Sequence, residues 1–316
     1  MIDNFMFSFN AVAPMFVIIC LGYWLKTKSV LTTEARDKLI YLVFNIALPM
    51  LIIRDIAGQN LADTINPSMI GFTVAAVSAG FILAWVVAVL LIKERGSKGS
   101  FVQCSFRGNY AVMGLGLIEN TMGEASPTAV VMLIFMIAIY NSLSVFILTY
   151  YSDHTAHGIQ LVKIIFYSMA KNPLIISMLI AVVLSLINFS TPHILAVPMH
   201  HLAQTSMPLA LLSLGASINI SEFKNQLGIA SLATAIKLIF MPLFACIVAV
   251  MLGMRGEYLL IVLIATGSPT AVAGYVMARQ MGTDAPLAAN IVVLTTLFSI
   301  VSFTLFLFHF VTLGLI

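Results

Sequence analysis

The sequence has 316 residues, 61% hydrophobic and 9% charged, against roughly 25% charged in a soluble domain. Long apolar runs at that composition exclude a water-soluble globule and define an all-α integral membrane protein. The net charge of +3 lies in the connections and gives no footprint for a nucleic-acid partner.

A membrane span needs about 20 apolar residues, and ten such helices can be placed in order. They run Phe5–Leu25, Arg36–Ile56, Ser68–Ile92, Phe101–Asn120, Ser126–Tyr151, Lys163–Asn188, Ile194–Ser217, Gln226–Leu252, Glu257–Ala278 and Ala285–Leu315. The opening Met-Ile-Asp-Asn-Phe lacks the basic region of a signal peptide, so the first run is kept as a span. The stretch Lys163–Lys171 reads either as part of the sixth span or as an interfacial amphipathic piece. Cys20, Cys104 and Cys246 lie in or beside apolar segments without C-x-x-C spacing, and read as packing residues.

Lysine and arginine concentrate in the odd-numbered loops. The first carries Lys26, Lys28, Arg36 and Lys38, and the third carries Lys93, Arg95 and Lys98. Positive charge stays on the cytoplasmic side. The chain is therefore expected in the inner or plasma membrane, with odd loops inside and both termini outside.

The two halves of the chain echo each other. Pro14 and Pro173 are 159 apart (173 − 14), as are Pro49 and Pro208 (208 − 49), and Pro127 and Pro286 (286 − 127). Met122-Gly123 recurs as Met281-Gly282 at the same offset. With only 11 prolines in the chain, this spacing marks an internal repeat. Residues 1–157 form the first five-helix unit and 158–316 the second. Five is odd, so the second unit enters the membrane from the other side: an inverted 5+5 repeat, as in many secondary transporters.

The ninth span contains Thr266-Gly-Ser-Pro-Thr270 at its middle. Proline removes a donor and clashes with the preceding turn, and lipid offers the freed carbonyl no partner. A break here is expected. The repeat maps Ser268 onto Asn109 (268 − 159), inside a fourth span that reads Phe106-Arg-Gly-Asn-Tyr-Ala-Val-Met-Gly-Leu-Gly-Leu117. Two interrupted helices at equivalent places point to a transport site.

Lys237 sits eleven residues into its span (237 − 226), roughly 16 Å deep. A lysine there either neutralises the carbonyl ends of the broken helices or binds an anion, and the certain presence of helix C-termini favours the first. Arg107 reads equally as a headgroup-level residue or a ligand. Glu119, Glu124, Glu257 and Asp284 all lie at span ends, which argues against a buried-carboxylate proton carrier and for an anionic substrate. Asn109, beside the break, is expected to touch substrate; Asn45, Asn141 and Gln204 read as helix–helix hydrogen bonders. His154 and His157 read as solvated, and no metal site, cofactor motif or catalytic constellation is expected.

Four stretches together resemble the auxin efflux carrier family: Phe106-Arg-Gly-Asn-Tyr110 with Gly114-Leu-Gly-Leu117, Pro208-Leu-Ala-Leu-Leu-Ser-Leu-Gly215, Lys237-Leu-Ile-Phe-Met-Pro242, and Ser268-Pro-Thr-Ala-Val272 followed by Ala278. Gly116 stands where this family usually carries a proline. The resemblance implies a dimerising scaffold and a moving domain with two crossed helices, the fourth and ninth. It also implies elevator-type alternating access for small organic anions, mono- or dicarboxylates. Carried over, the substrate site comprises Asn109, Tyr110, Gly114, Gly116, Ser268, Pro269 and Thr270, with Lys237 nearby. Sodium or a proton is a possible coupling ion. A sodium-coupled symporter of bile-acid type, a passive anion channel and a transporter-like sensor are the alternatives.

Overall fold

The computed structural model describes residues 2–57, 66–110, 127–152, 159–187, 189, 191–218 and 220–316. Every named element among them is a helix. Helix α1 spans Ile2–Thr27. Helix α2, Thr33–Leu42, starts at Thr32, whose hydroxyl accepts from the Ala35 N–H, and continues through a π turn, Val43–Ala47, into α3, Leu48–Ala57. Helix α4 covers Pro67–Leu91, capped by Asn66, with Pro67 in the first turn, where a missing N–H costs no bond. Helices α5, Arg95–Phe106, and α6, Pro127–Tyr151, follow.

In the second half α7, Ile159–Lys171, gives way at Asn172 to α8, Pro173–Leu186. The Asn172 side chain caps α8, and the apolar parts of the two helices are bent by 58°. The sixth expected span is thus two pieces, with Lys163–Lys171 in a helix of its own. Helix α9 is His193–Ser217. Helix α10, Ile220–Ala235, passes through a second π turn, Ile236–Phe240, into α11, Met241–Met251. The last elements are α12, Glu257–Gly267, α13, Val272–Gln280, and α14, Ala285–Thr312, which Asp284 caps through the Leu287 N–H.

Among the described residues five helices are long and apolar enough to cross a membrane, six if α7 and α8 count as one span. Their exposed faces are rich in apolar side chains, as on α4, where Ile82, Val86, Val89 and Leu90 point outward. The buried face of α4 carries Gly80, Ala84 and Ala88. Small residues let helices approach closely where no hydrophobic effect drives them together. The contact of α1 with α9 uses the same device. A Cβ on Gly22 would overlap the Leu212 carbonyl, and one on Gly215 the Ile19 carbonyl.

Both π turns precede a proline, Pro49 or Pro242. A proline ring clashes with the carbonyl four residues back. The chain widens instead: the Leu48 N–H donates to Val43 O, and the Met241 N–H to Ile236 O. Such insertions often mark functional positions, and the second contains Lys237.

The fourth expected span departs from Phe101–Asn120. Helix α5 begins six residues earlier (101 − 95) and ends at Phe106. Its polar first half is held by protein, not lipid: Ser97 donates to Asp284 Oδ2 at 2.6 Å, and Ser100 to the Thr283 hydroxyl at 3.1 Å.

At the end of α13, Arg279 forks onto Asp37 of α2, with Nε–Oδ1 at 3.2 Å and Nη2–Oδ2 at 2.8 Å. Both side chains are about two-fifths exposed, at 39% and 40%. Pairs this wet contribute little, so Arg279→Ala should change the unfolding free energy by under about 1 kcal/mol. A melting curve in detergent checks this; a shift of many degrees would contradict it.

Candidate functional site

Helices α5 and α12 stop at the same place in the fold. Past Phe106, Arg107 is extended, and past Gly267 so are Ser268 and Ala271 before α13 starts. The two extended stretches pair with each other. Gly108 and Thr270 form an isolated antiparallel bridge, and the Asn109 N–H donates to Pro269 O at 2.9 Å. Each interruption thus supplies partners for the other, which backbone at membrane depth requires.

The last carbonyls of a helix have no N–H partner further along it. Here side chains from elsewhere meet them. At the end of α5, Cys104 O accepts from the Thr270 hydroxyl at 2.6 Å, and Phe106 O from Lys237 Nζ at 3.0 Å. At the end of α12, Ala265 O accepts from the Tyr140 hydroxyl, and Thr266 O from the same Lys237 Nζ at 2.8 Å. Lys237 is fully buried. One ammonium therefore bridges the negative ends of two half-helices, the favourable place for a cation. Of the two sequence readings of Lys237, this geometry is that of support.

Gly108 sits where these groups converge. A Cβ there would overlap the Ser268 hydroxyl and lie 2.9 Å from the Tyr140 hydroxyl oxygen and 3.3 Å from Lys237 Nζ. Glycine is needed because the two backbones touch. The Ser268 hydroxyl is buried with no hydrogen-bond partner.

Beside the break, and lined in part by Gly108 and Tyr140 themselves, lies a cavity of about 110 Å³. One water needs roughly 10–15 Å³ on this scale, so the space suits a small organic molecule. Its wall is mostly aliphatic, from α3, α6 and α9. Arg107, Asn109, Tyr110, Tyr140, Asn141, Ser206 and Asp55 supply the polar groups. Arg107 is 8% exposed. Its Nη1 donates to Asn141 Oδ1 at 2.8 Å and to the Ser144 hydroxyl at 3.3 Å, while its Nε has no partner. No carboxylate among the described residues pairs with it.

Of the residues singled out from sequence, Asn109 and Tyr110 line this cavity, and the Tyr110 hydroxyl donates to Ala129 O at 3.1 Å. Ser268, Pro269, Thr270 and Lys237 lie at the crossing and not on this wall; Thr270 is further tied by its N–H to the Thr295 hydroxyl at 3.1 Å. Gly114 and Gly116 fall outside the described residues. Asn141, expected to bond a neighbouring helix, accepts from Arg107 in the extended stretch past α5. Arg107 is enclosed by protein beside the break. Asp55 did not stand out in the sequence, because it lies one residue from the end of its expected span. Asn45 bonds within its own helix, to Tyr41 O.

A family model described as membrane transport protein matches residues 7–307. The chain belongs to the auxin efflux carrier family of membrane transport proteins. An uncharacterized transporter of Methanothermobacter thermautotrophicus is 25% identical over 315 residues, covering 95% of this chain and 98% of the relative. One from Methanocaldococcus jannaschii is 22% identical over 308 residues, 93% and 96% of the two chains. The uncharacterized transporter YfdV of Escherichia coli K12 is 22% identical over 282 residues, 87% and 88%. With its several apolar helices, this family member is a multi-pass membrane protein.

Proposed function

We propose that this carrier is a secondary transporter of small organic carboxylates, binding them between Arg107 and Asn109 at the crossing and exposing them to each side of the membrane in turn. The observation that carries the reading is Arg107: a guanidinium enclosed by protein, on a cavity wall, without an acidic partner among the described residues. Buried charge is costly unless compensated, and a forked guanidinium matches a carboxylate. Asn109 and Asn141 would fix the orientation of the bound anion.

The inverted ten-helix repeat belongs to the same proposal. Adding 159 to the bounds of α4, 67–91, gives 226–250, within the 220–251 of α10, its π turn and α11. Adding it to those of α6, 127–151, gives 286–310, against 285–312 for α14. The outward mapping of both termini, an elevator-like movement of the crossed helices and a homodimeric scaffold extend the same reading. The carbonyls of the two helix ends already hold the Lys237 ammonium. This favours a carrier with no sodium at that point over the bile-acid type of symporter.

Proteoliposomes loaded with labelled mono- and dicarboxylates, with and without sodium, proton or potential gradients, test the reading. At least one carboxylate should show saturable flux, and Arg107→Gln should reduce kcat/KM by at least about tenfold, the value of a lost charge-assisted hydrogen bond. Equal flux in parent and variant for every acid would overturn it.

A further inference from the structure

We propose that a basic cavity between the end of α1 and the start of α2 holds the phosphate of an anionic membrane lipid. The cavity measures about 270 Å³, and Lys26, Ser29, Thr32, Thr33 and Arg36 supply its polar wall. One water needs roughly 10–15 Å³ on this scale, so a phosphate with part of its ester fits. No Asp or Glu lies on this wall. It shares no residue with the cavity at the crossing, so the site stands whatever cargo is carried.

The protein holds both cations in place. Lys26 Nζ donates to the Ile218 carbonyl, just past α9, at 2.7 Å, and keeps its other N–H donors. Arg36 donates to Asp37 Oδ1 through Nε and Nη2, at 3.1 and 3.0 Å. Asp37 also accepts from Arg279, so two guanidiniums share one carboxylate and a positive charge is left over. Glu34, in the first turn of α2, accepts from Lys38 at 2.6 Å and is off the wall. Ammonium, guanidinium and hydroxyl groups all donate to phosphate oxygens. The face of α1 that leads to the cavity points to a lipid as the source. Val17, Leu21 and Trp24 recur along it at helical spacing and are exposed. An exposed Trp belongs at the membrane–water boundary, and Lys28 lies one turn beyond it. Acyl chains along this face would bring the headgroup to Lys26 and Arg36.

Native mass spectrometry of the purified protein, titrated with phosphatidylglycerol or phosphatidylcholine of the same acyl chains, tests this. Phosphatidylglycerol should bind at least about tenfold more tightly, because the two cations attract its net charge and repel choline. Lys26→Gln and Arg36→Gln should each weaken it about fivefold. Lys38→Gln makes the same change in net charge off the wall, and should alter binding by under about twofold. Ser29 has φ 57°, a conformation that Asp tolerates. Ser29→Asp puts a carboxylate on the wall and should erase the lipid preference, while melting without lipid stays that of the parent. Equal binding of the two lipids by the parent overturns the site. So does a Lys38→Gln as damaging as Lys26→Gln, or a Ser29→Asp that keeps the preference. Glycerol 3-phosphate displacing the lipid at equal concentration would assign the cavity to a soluble phosphate ester. Lipid lost from dimers would assign it to a second copy. Either result overturns the lipid.

Discussion

Lys237→Met is expected to lower the stability of the protein by about 3 kcal/mol or more and to abolish transport. The substitution keeps most of the length of the side chain and removes both charge-assisted hydrogen bonds, to Phe106 O and Thr266 O. Each such bond contributes roughly 1.5–3 kcal/mol, and relief of the buried charge offsets part of the loss. No N–H follows in either helix to take over the two carbonyls, since Gly108, Asn109 and Ser268 are extended or already engaged. The ammonium also ties both half-helix ends to the π turn between α10 and α11. Lys237→Arg should not rescue, because the site is fully closed and a guanidinium is larger. Thermal melting and flux, measured side by side, check this. A Met variant that melts and transports like the parent would remove the structural role assigned to Lys237.

Gly108→Ala should be nearly as damaging, for steric reasons alone. The added methyl would overlap the Ser268 hydroxyl and crowd Tyr140 and Lys237 at 2.9 and 3.3 Å. Overpacking typically costs about 1–3 kcal/mol, and here the groups that must yield are those that hold the crossing. Either the Gly108–Thr270 bridge opens or Tyr140 releases Ala265 O. Transport should fall at least about tenfold even where the protein still folds, since a shift of about 1 Å at a binding site has effects of that size. The double variant Gly108→Ala with Ser268→Ala should recover part of the loss, because it deletes the nearest clashing atom. A double variant no better than the single one would place the strain elsewhere.

The break in the ninth span was legible because Pro269 falls at its centre, and no apolar packing can restore the missing donor. The break in the fourth span became legible only through the offset of 159, which laid Asn109 over Ser268. In the structure Asn109 pairs with Pro269, the neighbour of Ser268. Lys237 was legible from depth alone. What escaped was whatever hydropathy does not measure. Helix α5 begins with Arg95-Gly-Ser-Lys, which no lipid-facing helix would carry, yet most of the helix is enclosed by protein. The window rule therefore started it late, at Phe101, six residues before Arg107 (107 − 101). Asp55 was missed for the same reason: it closes a span in sequence count but lines a cavity in space. The hydroxyls of Ser268 and Thr270 read from spacing as ligand contacts; in the structure Thr270 donates to the end of α5, and the Ser268 hydroxyl lies against Gly108. A polar side chain beside a helix break can serve the backbone or the ligand, and spacing alone does not separate the two.

Alternating access is tested most directly by thiol labelling at the crossing. In a background with Cys20, Cys104 and Cys246 replaced, a single cysteine at Asn109 should react with membrane-impermeant reagents applied from either face of sealed vesicles. A transported carboxylate should slow the reaction on both sides. Labelling from one face only, unchanged by any carboxylate, would contradict a carrier that moves its cargo past Arg107.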